Sequence, residues 1–153
     1  MSFLEILNKR YATKAMNGEV VSQQKIDNIL EAIRLAPSSS GLQPFEVFVI
    51  TDNETKSTIK EIAWNQSPVT DCSHLLVFAA WDHYTEDRIN HMFDLTNEIR
   101  GFKNEGWENY RQMLLSSYPQ KNSKENFEHA ARQTYIAFMA AITQAAYEGL
   151  DST

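Results

Sequence analysis

The sequence predicts a mixed domain of six helices and two strands, in which helices cover a small sheet. Two observations carry this prediction. Apolar residues recur at the 3.6-residue spacing of amphipathic helices in several segments, whereas the runs EVFVI and LLVFAAW have the β-branched and aromatic composition of buried strands. The 153-residue chain has the length of one domain.

The first two helices have clear start and stop signals. Ser2 and Glu5 stand at capping-box spacing and predict the first helix start. Ser22 is the expected N-cap of the second helix, and Pro37 ends it because the residue before a proline resists helical dihedrals. The apolar positions between them follow the spacing i, i+3, i+4 and i+7: Ile26, Ile29, Leu30 and Ile33.

The remaining predicted elements come in the order strand, helix, strand and three helices, at residues 46–50, 54–63, 75–81, 85–103, 105–115 and 124–147. The last helix is apolar nearly all round, so we expect several of its sides to be covered. Gly149 is its expected C-cap. Two strands make a poor sheet, and GLDST ends the chain where another strand would be expected. We therefore interpret residues 1–153 as a single domain that forms the N-terminal portion of a longer chain; the alternative is an intact domain with an unusual strand pair.

The overall charge limits the classes of partner. With 14 Lys and Arg against 20 Asp and Glu, the net charge of −6 argues against nucleic-acid binding, although basic residues cluster near the start. Cys72 is the only cysteine, so no intrachain disulfide is possible and the reducing cytoplasm is the default setting. The segment MSFLEILNKR is charged and has no long apolar run, so we expect neither a signal peptide nor a membrane span there.

Two segments carry side chains suited to an anionic ligand. KRYATKAM holds Lys9, Arg10 and Lys14, and arginine offers a planar fork of donors for phosphate. The serine triplet Ser38–Ser40 between Pro37 and Gly41 offers hydroxyl and backbone N–H groups that can surround a phosphate or a polar ring edge. A solvated loop for the first segment, and a turn that satisfies its own backbone for the second, stay open as alternatives.

A third polar patch precedes the second strand. The Asn65 amide could read the edge of a heterocycle. Asp71, Ser73 and His74 invite a hydrolase interpretation, but their spacing does not favour a triad and there is no GxSxG motif, so we expect them to cap the strand.

Other site classes have little support. No HExxH or CxxC pattern, P-loop or GxGxxG fingerprint occurs, and no metal site is predicted. We expect the four histidines, His74, His83, His91 and His129, at the surface. Four aromatic residues are expected in the core rather than over a cofactor: Trp64, Phe102, Trp107 and Tyr110.

The order of these segments resembles the nitroreductase family, which comprises FMN-dependent NAD(P)H oxidoreductases, and specifically its NfsB-like branch. The resemblance rests on the basic segment after the first helix, on APSSSGLQPF after the second, and on AWNQ and TDCSHLLVF before and into the second strand. AARQTYIAFMAAITQAAYEGLD is similar to the family's long central helix, and essentially all 153 residues are covered. The resemblance implies an α+β fold and an intertwined homodimer with two FMN sites at the subunit interface.

The family's cofactor-binding positions can be carried over to this chain. Arg10 would contact the FMN phosphate, the backbone of Tyr11 and Ala12 would line that region, Lys14 would reach the polar edge of the flavin, and Asn65 would bond to its ring. The other subunit would supply Pro37, Ser38 and Ser39. Gln133, on the central helix, matches with less specificity a glutamine near the cofactor.

Three positions depart from the family pattern. Ala12 stands where a serine is common, Gly41 where asparagine is frequent, and Pro68 where a lysine often occurs. With that lysine absent, Lys14 would supply more of the positive charge near flavin N1 and O2. The family also continues beyond GLD with strands that supply further cofactor contacts.

The resemblance implies a ping-pong mechanism, in which NADH or NADPH reduces flavin N5 and a quinone or nitroaromatic then accepts the hydride. Lys14 would stabilise the reduced flavin electrostatically. The sequence selects neither the physiological acceptor nor NADH over NADPH, and Trp107 and Tyr110 are only candidates for a gating aromatic. Two alternatives stay open: a non-catalytic flavin-binding or sensing protein, and a helical interaction module without flavin.

Overall fold

The computed structural model describes residues 2–153, which form seven α-helices, one short 3-10 turn and two strands. The helices are α1 (Phe3–Lys9), α2 (Gln23–Leu35), α3 (Asn53–Ile62), α4 (Pro68–Asp71), α5 (Glu86–Arg100), α6 (Glu105–Ser117) and α7 (Ser123–Tyr147). The strands are β1 (Phe45–Ile50) and β2 (Leu75–Ala80), and the 3-10 turn is Ser39–Gly41. Every predicted element is present within a few residues of its expected bounds, whereas α4 was not predicted.

The start and stop signals lie at the predicted residues, although one of the two N-caps lacks its hydrogen bond. Ser2 Oγ accepts the Glu5 N–H at 3.3 Å, and the Glu5 carboxylate accepts the Ser2 N–H at 2.6 Å, so the capping box is complete. Ser22 precedes α2 but makes no side-chain cap bond, and α2 ends just before the extended Ala36 that precedes Pro37.

Gly149 ends α7 through a Schellman motif. Its φ of +73° is left-handed, the Leu150 N–H donates to Ala145 O at 2.9 Å, and the Gly149 N–H donates to Ala146 O at 3.1 Å. The prediction that Gly149 stops this helix is therefore confirmed.

The two strands form a sheet of their own, and the Trp81 N–H bonds to Pro44 O at 2.9 Å. The start of β1 therefore lies beside the end of β2, as in an antiparallel pair. The expectation of buried strands is wrong in degree: β2 is half-buried along most of its length, and Phe48 and Val49 of β1 are exposed. The described helices therefore leave part of the faces of this two-stranded sheet uncovered.

The chain divides into two compact units. The first unit comprises residues 2–36, Val47–Phe78 and Ala137–Thr153, and the second comprises Pro37–Glu46 and Ala79–Ile136. The buried residues of the first unit include Ile6, Ile26, Ile29, Ile33, Ala137, Ala141 and Ala145. The core cluster of the second unit consists of Leu42, Trp81, Tyr84, Ile89, Phe93, Leu114, Tyr118 and Ala130.

Helix α7 is covered on one side and open on another. Its alanines, such as Ala137 and Ala141, are buried, whereas Ile136, Met139 and Tyr147 are exposed along one face. The expectation that several sides are covered is thus not met within one chain. None of the helices in residues 2–153 combines the length and the apolar character needed to cross a membrane.

Candidate functional site

The basic segment begins where α1 ends. Arg10 is the C-cap residue: its backbone is extended and its N–H donates to Ile6 O at 3.0 Å. The side chain is half-buried, and its Nε is buried with no hydrogen-bond partner anywhere in residues 2–153. Because a buried donor on a permanently charged group is costly without an acceptor, this atom is suited to an anion that the chain itself does not supply.

The next residues of the segment present a second cation. Ala12 pairs with Ser152 in an isolated parallel bridge, and buried Thr13 donates its hydroxyl to Ala15 O at 2.8 Å. Lys14 and Tyr11 are exposed, and Lys14 has no ion-pair partner among the described residues. The Lys14 ammonium is therefore available to a ligand.

Asn65 lies in the loop after α3 in a left-handed conformation. Both Asn65 and the preceding Trp64 have a φ of +54°, and the Asn65 N–H closes the turn on Lys60 O at 3.1 Å. Asparagine tolerates this conformation, but a bulky residue such as tryptophan rarely adopts it. The Asn65 side chain is exposed and the Trp64 side chain is 89% exposed.

The serine loop, residues 38–41, lies between exposed Pro37 and β1. Ser38 is extended, and its carbonyl accepts the Gly41 N–H at 3.0 Å. Its hydroxyl accepts the Gln43 N–H at 2.9 Å. The Ser38 hydroxyl is therefore used within the turn itself, as the alternative of a turn that satisfies its own backbone predicts.

Gln133 on α7 forms a hydrogen bond with the serine loop, although 94 positions separate it from Ser39. Its Oε1 accepts the Ser39 N–H at 2.9 Å, and its Nε2 donates to His129 O at 3.3 Å. Ser39 and Gln133, which the resemblance assigned to one cofactor site, are thus in direct contact.

The nine candidate residues separate between the two units. Five lie in the first unit: Arg10, Tyr11, Ala12, Lys14 and Asn65. Four lie in the second unit: Pro37, Ser38, Ser39 and Gln133.

Backbone strain is concentrated in the same two loops. In residues 2–153, the non-glycine residues with positive φ are Ser40, Gln43, Trp64 and Asn65. Such conformations cost energy and tend to persist where a binding site uses them. The strain therefore favours a ligand-binding role for the loops that contain Ser39 and Asn65.

Two of the aromatic predictions are wrong. Trp64 and Phe102 are exposed rather than in the core, whereas Trp107 and Tyr110 pack against the second unit's core as expected. Sequence reasoning also missed a contact of Tyr110, whose hydroxyl lies 2.7 Å from Ser40 Oγ. No sequence signal relates these residues, because 70 positions separate them.

The polar trio before β2 has a structural arrangement. Ser73 Oγ accepts the Val21 N–H at 2.9 Å and lies 2.8 Å from His74 Nδ1. Asp71 instead accepts the Thr70 hydroxyl at 3.0 Å. Asp71 therefore does not extend the Ser73–His74 pair into a triad, and none of these three bonds caps the backbone of β2 as we expected.

The prediction of surface histidines holds only for His91. The other three are partly buried, and His129 Nδ1 lies 2.7 Å from the Tyr84 hydroxyl. Burial lowers the pKa of His129, and the charges of Lys121 and Arg132 lower it further. Burial likewise lowers the pKa of His74. Both imidazoles are therefore kept neutral to lower pH than in an unfolded chain.

These histidines predict a pH dependence of stability. Between their lowered pKa values and the ordinary value near 6.5, the unfolded chain binds more protons than the folded one, so the free energy of unfolding falls as the pH drops from 7 towards 5. Each histidine can contribute a slope of at most about 1.4 kcal/mol per pH unit. Urea unfolding at constant ionic strength measures this slope. We expect His129→Gln to reduce this slope, and a wild-type slope in His129→Gln would contradict this account.

Two further features bear on the site. Within residues 2–153, no group of three or more His, Cys, Asp or Glu side chains is placed to hold a metal ion. A cavity of about 500 Å³ lies in the first unit between the segment after Tyr11, β2 and the C-terminal half of α7. Tyr11 lines it, whereas Arg10, Lys14 and Asn65 do not.

The chain matches known proteins along nearly its whole length. The sequence profile of the nitroreductase family matches residues 7–153. A protein of Staphylococcus haemolyticus named "Putative NAD(P)H nitroreductase SH0546" is 30% identical, in an alignment that covers 99% of this chain and 72% of the relative.

Solved structures share the fold. A Staphylococcus epidermidis protein described as a "putative NAD(P)H:FMN oxidoreductase (SE1966)" superposes with a TM-score of 0.84 at 19% identity, over 98% of this chain and 71% of the other. An Exiguobacterium sibiricum protein, described as a "putative nitroreductase in complex with FMN", superposes with a TM-score of 0.81 at 20% identity, over 99% of this chain and 72% of the other. The chain therefore has the nitroreductase-like α+β fold and belongs to the nitroreductase family, a family of oxidoreductases.

Proposed function

We propose that the protein is an FMN-dependent NAD(P)H oxidoreductase that reduces quinones or nitroaromatics by a ping-pong mechanism. The observation that carries the proposal is the buried, unpartnered Arg10 Nε within the basic segment, because a phosphate would satisfy it. The FMN in the Exiguobacterium structure and the NAD(P)H in the relatives' names support the choice of cofactor and co-substrate. The single Cys72 agrees with a reducing cytoplasmic setting.

The residues of the first unit fit the two ends of FMN. Arg10 would hold the phosphate through its guanidinium, whose Nε has no acceptor within the described chain. The backbone of Tyr11 and Ala12 would line the same phosphate region. Lys14, exposed and without an ion pair in the described chain, would face the polar edge of the flavin ring. The exposed Asn65 amide can both donate to and accept from that ring.

The second unit would close the site of a partner chain. Pro37 and Ser39 are exposed, whereas Ser38 and Gln133 are half-buried and hold the loop together. The Ser39 hydroxyl has no hydrogen-bond partner in residues 2–153, unlike those of Ser38 and Ser40. Of the three loop hydroxyls, the Ser39 hydroxyl is therefore the most available to the cofactor.

A homodimer would cover the open side of α7. Ile136, Met139 and Tyr147 are exposed there on one helical face. A contiguous apolar face on a long helix marks an interaction surface. The proposed occupant is the same helix face of a second copy.

The protein's contribution to the reaction is binding, orientation and charge. When bound, FMN would supply the redox chemistry, the transfer of a hydride equivalent from NAD(P)H to the acceptor. Lys14 would place a positive charge where the ring becomes negative, which stabilises the developing charge. No described side chain is required to act as a nucleophile.

The absorption spectrum of the purified protein and an FMN titration test the cofactor, and NAD(P)H oxidation with a quinone or a nitroaromatic tests turnover. Yellow protein, or saturable FMN binding, together with acceptor-dependent NAD(P)H oxidation is expected. FMN binding without turnover would overturn the enzyme assignment in favour of a flavin sensor. Absence of FMN binding would overturn the whole proposal and favour a helical interaction module.

The role of Lys14 predicts a kinetic defect. Lys14→Ala is expected to slow reduction of the bound FMN by about tenfold, less than the 10²–10³-fold typical of a buried donor to an oxyanion, because Lys14 is exposed. Stopped-flow measurement of FMN reduction by NAD(P)H gives this rate, and titration gives FMN affinity. Lys124→Ala, at an exposed position near the start of α7, is the matched control and should change neither. If Lys14→Ala keeps both the rate and the affinity, Lys14 has no electrostatic role.

A further inference from the structure

The hydroxyls of Tyr110 and Ser40 join α6 to the serine loop. Their oxygens lie 2.7 Å apart, and Tyr110 is partly buried beside the second unit's core. Its ring centroid lies 6.4 Å from that of Phe93 and 6.0 Å from that of Trp107. The ring is therefore fixed by packing, so its hydroxyl has a defined position towards the loop.

Ser40 has the conformation in this loop that most needs support. Its φ is +59° and its ψ is +11°, a left-handed conformation that serine seldom adopts. Two backbone hydrogen bonds lie around it: the Gly41 N–H donates to Ser38 O at 3.0 Å, and the Leu42 N–H donates to Ser39 O at 3.4 Å. A strained residue persists only when its surroundings determine its conformation, and the Tyr110 hydroxyl is one such contact.

The Ser40–Tyr110 bond also determines which groups of the loop remain for a ligand. The Ser38 hydroxyl accepts the Gln43 N–H, and the Ser39 N–H donates to Gln133. With Ser40 turned to Tyr110, the Ser39 hydroxyl is left without a partner in the described chain. The conformation of Ser40 thereby sets which hydroxyl the loop offers.

We propose that Tyr110 is a positioning residue, which holds the serine loop in its ligand-binding conformation through Ser40, so that α6 controls how tightly the loop retains FMN. The retention of FMN rests on the proposed function, whereas the ordering of the loop does not. A ligand binds more weakly when its competent conformation is less populated. Loss of the Tyr110 hydroxyl therefore weakens binding without removing any group that touches the ligand.

The first experiment measures loop order in protein without FMN. Hydrogen exchange of the peptide containing residues 38–43 is compared in wild type, Tyr110→Phe, Ser40→Ala and the double variant. Each single variant is expected to exchange about fivefold faster, the factor that ~1 kcal/mol for one neutral hydrogen bond represents, and the double variant no faster than either. Ser116→Ala, also on α6 but bonded only to Met113 O within the helix, is the matched control and should match wild type.

The second experiment measures FMN affinity and the dissociation rate in the same variants. Tyr110→Phe and Ser40→Ala are expected to bind FMN about fivefold more weakly, with an unfolding midpoint near that of wild type, because phenylalanine preserves the ring packing. The two variants remove the same hydrogen bond, each by changing one of its partners. If one variant fails to fold, the other still tests the proposal.

The outcomes separate this inference from the proposed function. If the wild-type protein binds no FMN, the proposed function is overturned and, with it, the control of FMN retention. Faster exchange in both variants would still support positioning of the loop by Tyr110. Unchanged exchange in both variants would overturn positioning by Tyr110. Faster exchange with unchanged FMN affinity would overturn the control of FMN retention.

Discussion

Replacing Arg10 with alanine is expected to weaken FMN binding about 10- to 150-fold, which corresponds to about 1.5–3 kcal/mol for a hydrogen bond to a charged group. The physical reason is the buried Nε–H, which has no acceptor in residues 2–153 and would find one in the phosphate. Titration of the protein with FMN, followed by quenching of flavin fluorescence, measures the effect.

The stability of FMN-free Arg10→Ala distinguishes a ligand-binding arginine from a structural one. A buried unsatisfied donor costs about 1–3 kcal/mol, so its removal should leave the unfolding midpoint unchanged or raise it. Arg132→Ala is the control, because that side chain is exposed and its ion pair with Glu128 spans 3.7 Å. It should keep wild-type FMN affinity. Wild-type affinity in Arg10→Ala, or lost stability without lost affinity, would refute the assignment.

The fold elements could be predicted because their signals are local. The Ser2–Glu5 capping box, the proline after α2 and the left-handed Gly149 each act within a few residues. Helix α4 was missed because its four residues, PVTD, are too few to show a helical period. Its single turn is favoured instead by Pro68 at the first helical positions.

The candidate site could be predicted only in part, since its residue types are visible in the sequence but its contacts are not. The cation cluster and the serine triplet indicated the basic segment and the serine loop, and the family resemblance added Gln133. The pairs Ser40–Tyr110 and Tyr84–His129 span 70 and 45 positions, so no local pattern indicates them. The exposure of Trp64 was also hidden, because tryptophan is usually highly buried and no sequence signal indicates the left-handed backbone at this position.

Leu42→Ala is expected to reduce the free energy of unfolding by about 3 kcal/mol, within the 2–5 kcal/mol range of large-to-small core substitutions. Leu42 is 1% exposed and belongs to the second unit's core cluster. The deleted methyl groups leave a cavity that neighbouring side chains fill only partly. Trp81 and Trp107 lie in or against the same cluster, so their fluorescence during urea unfolding reports the loss.

Leu42 also anchors the serine loop, because its buried side chain holds in place the backbone whose N–H groups, at Leu42 and Gln43, bond to Ser39 O and Ser38 Oγ. Exchange in the 38–43 peptide should therefore rise in Leu42→Ala even under conditions where the protein remains folded. Leu35→Ala is the matched control: that leucine ends α2, is 65% exposed, and should cost no more than about 0.5 kcal/mol. Equal losses in the two variants would show that Leu42 packs no better than a surface leucine, and would contradict its role as an anchor of the serine loop.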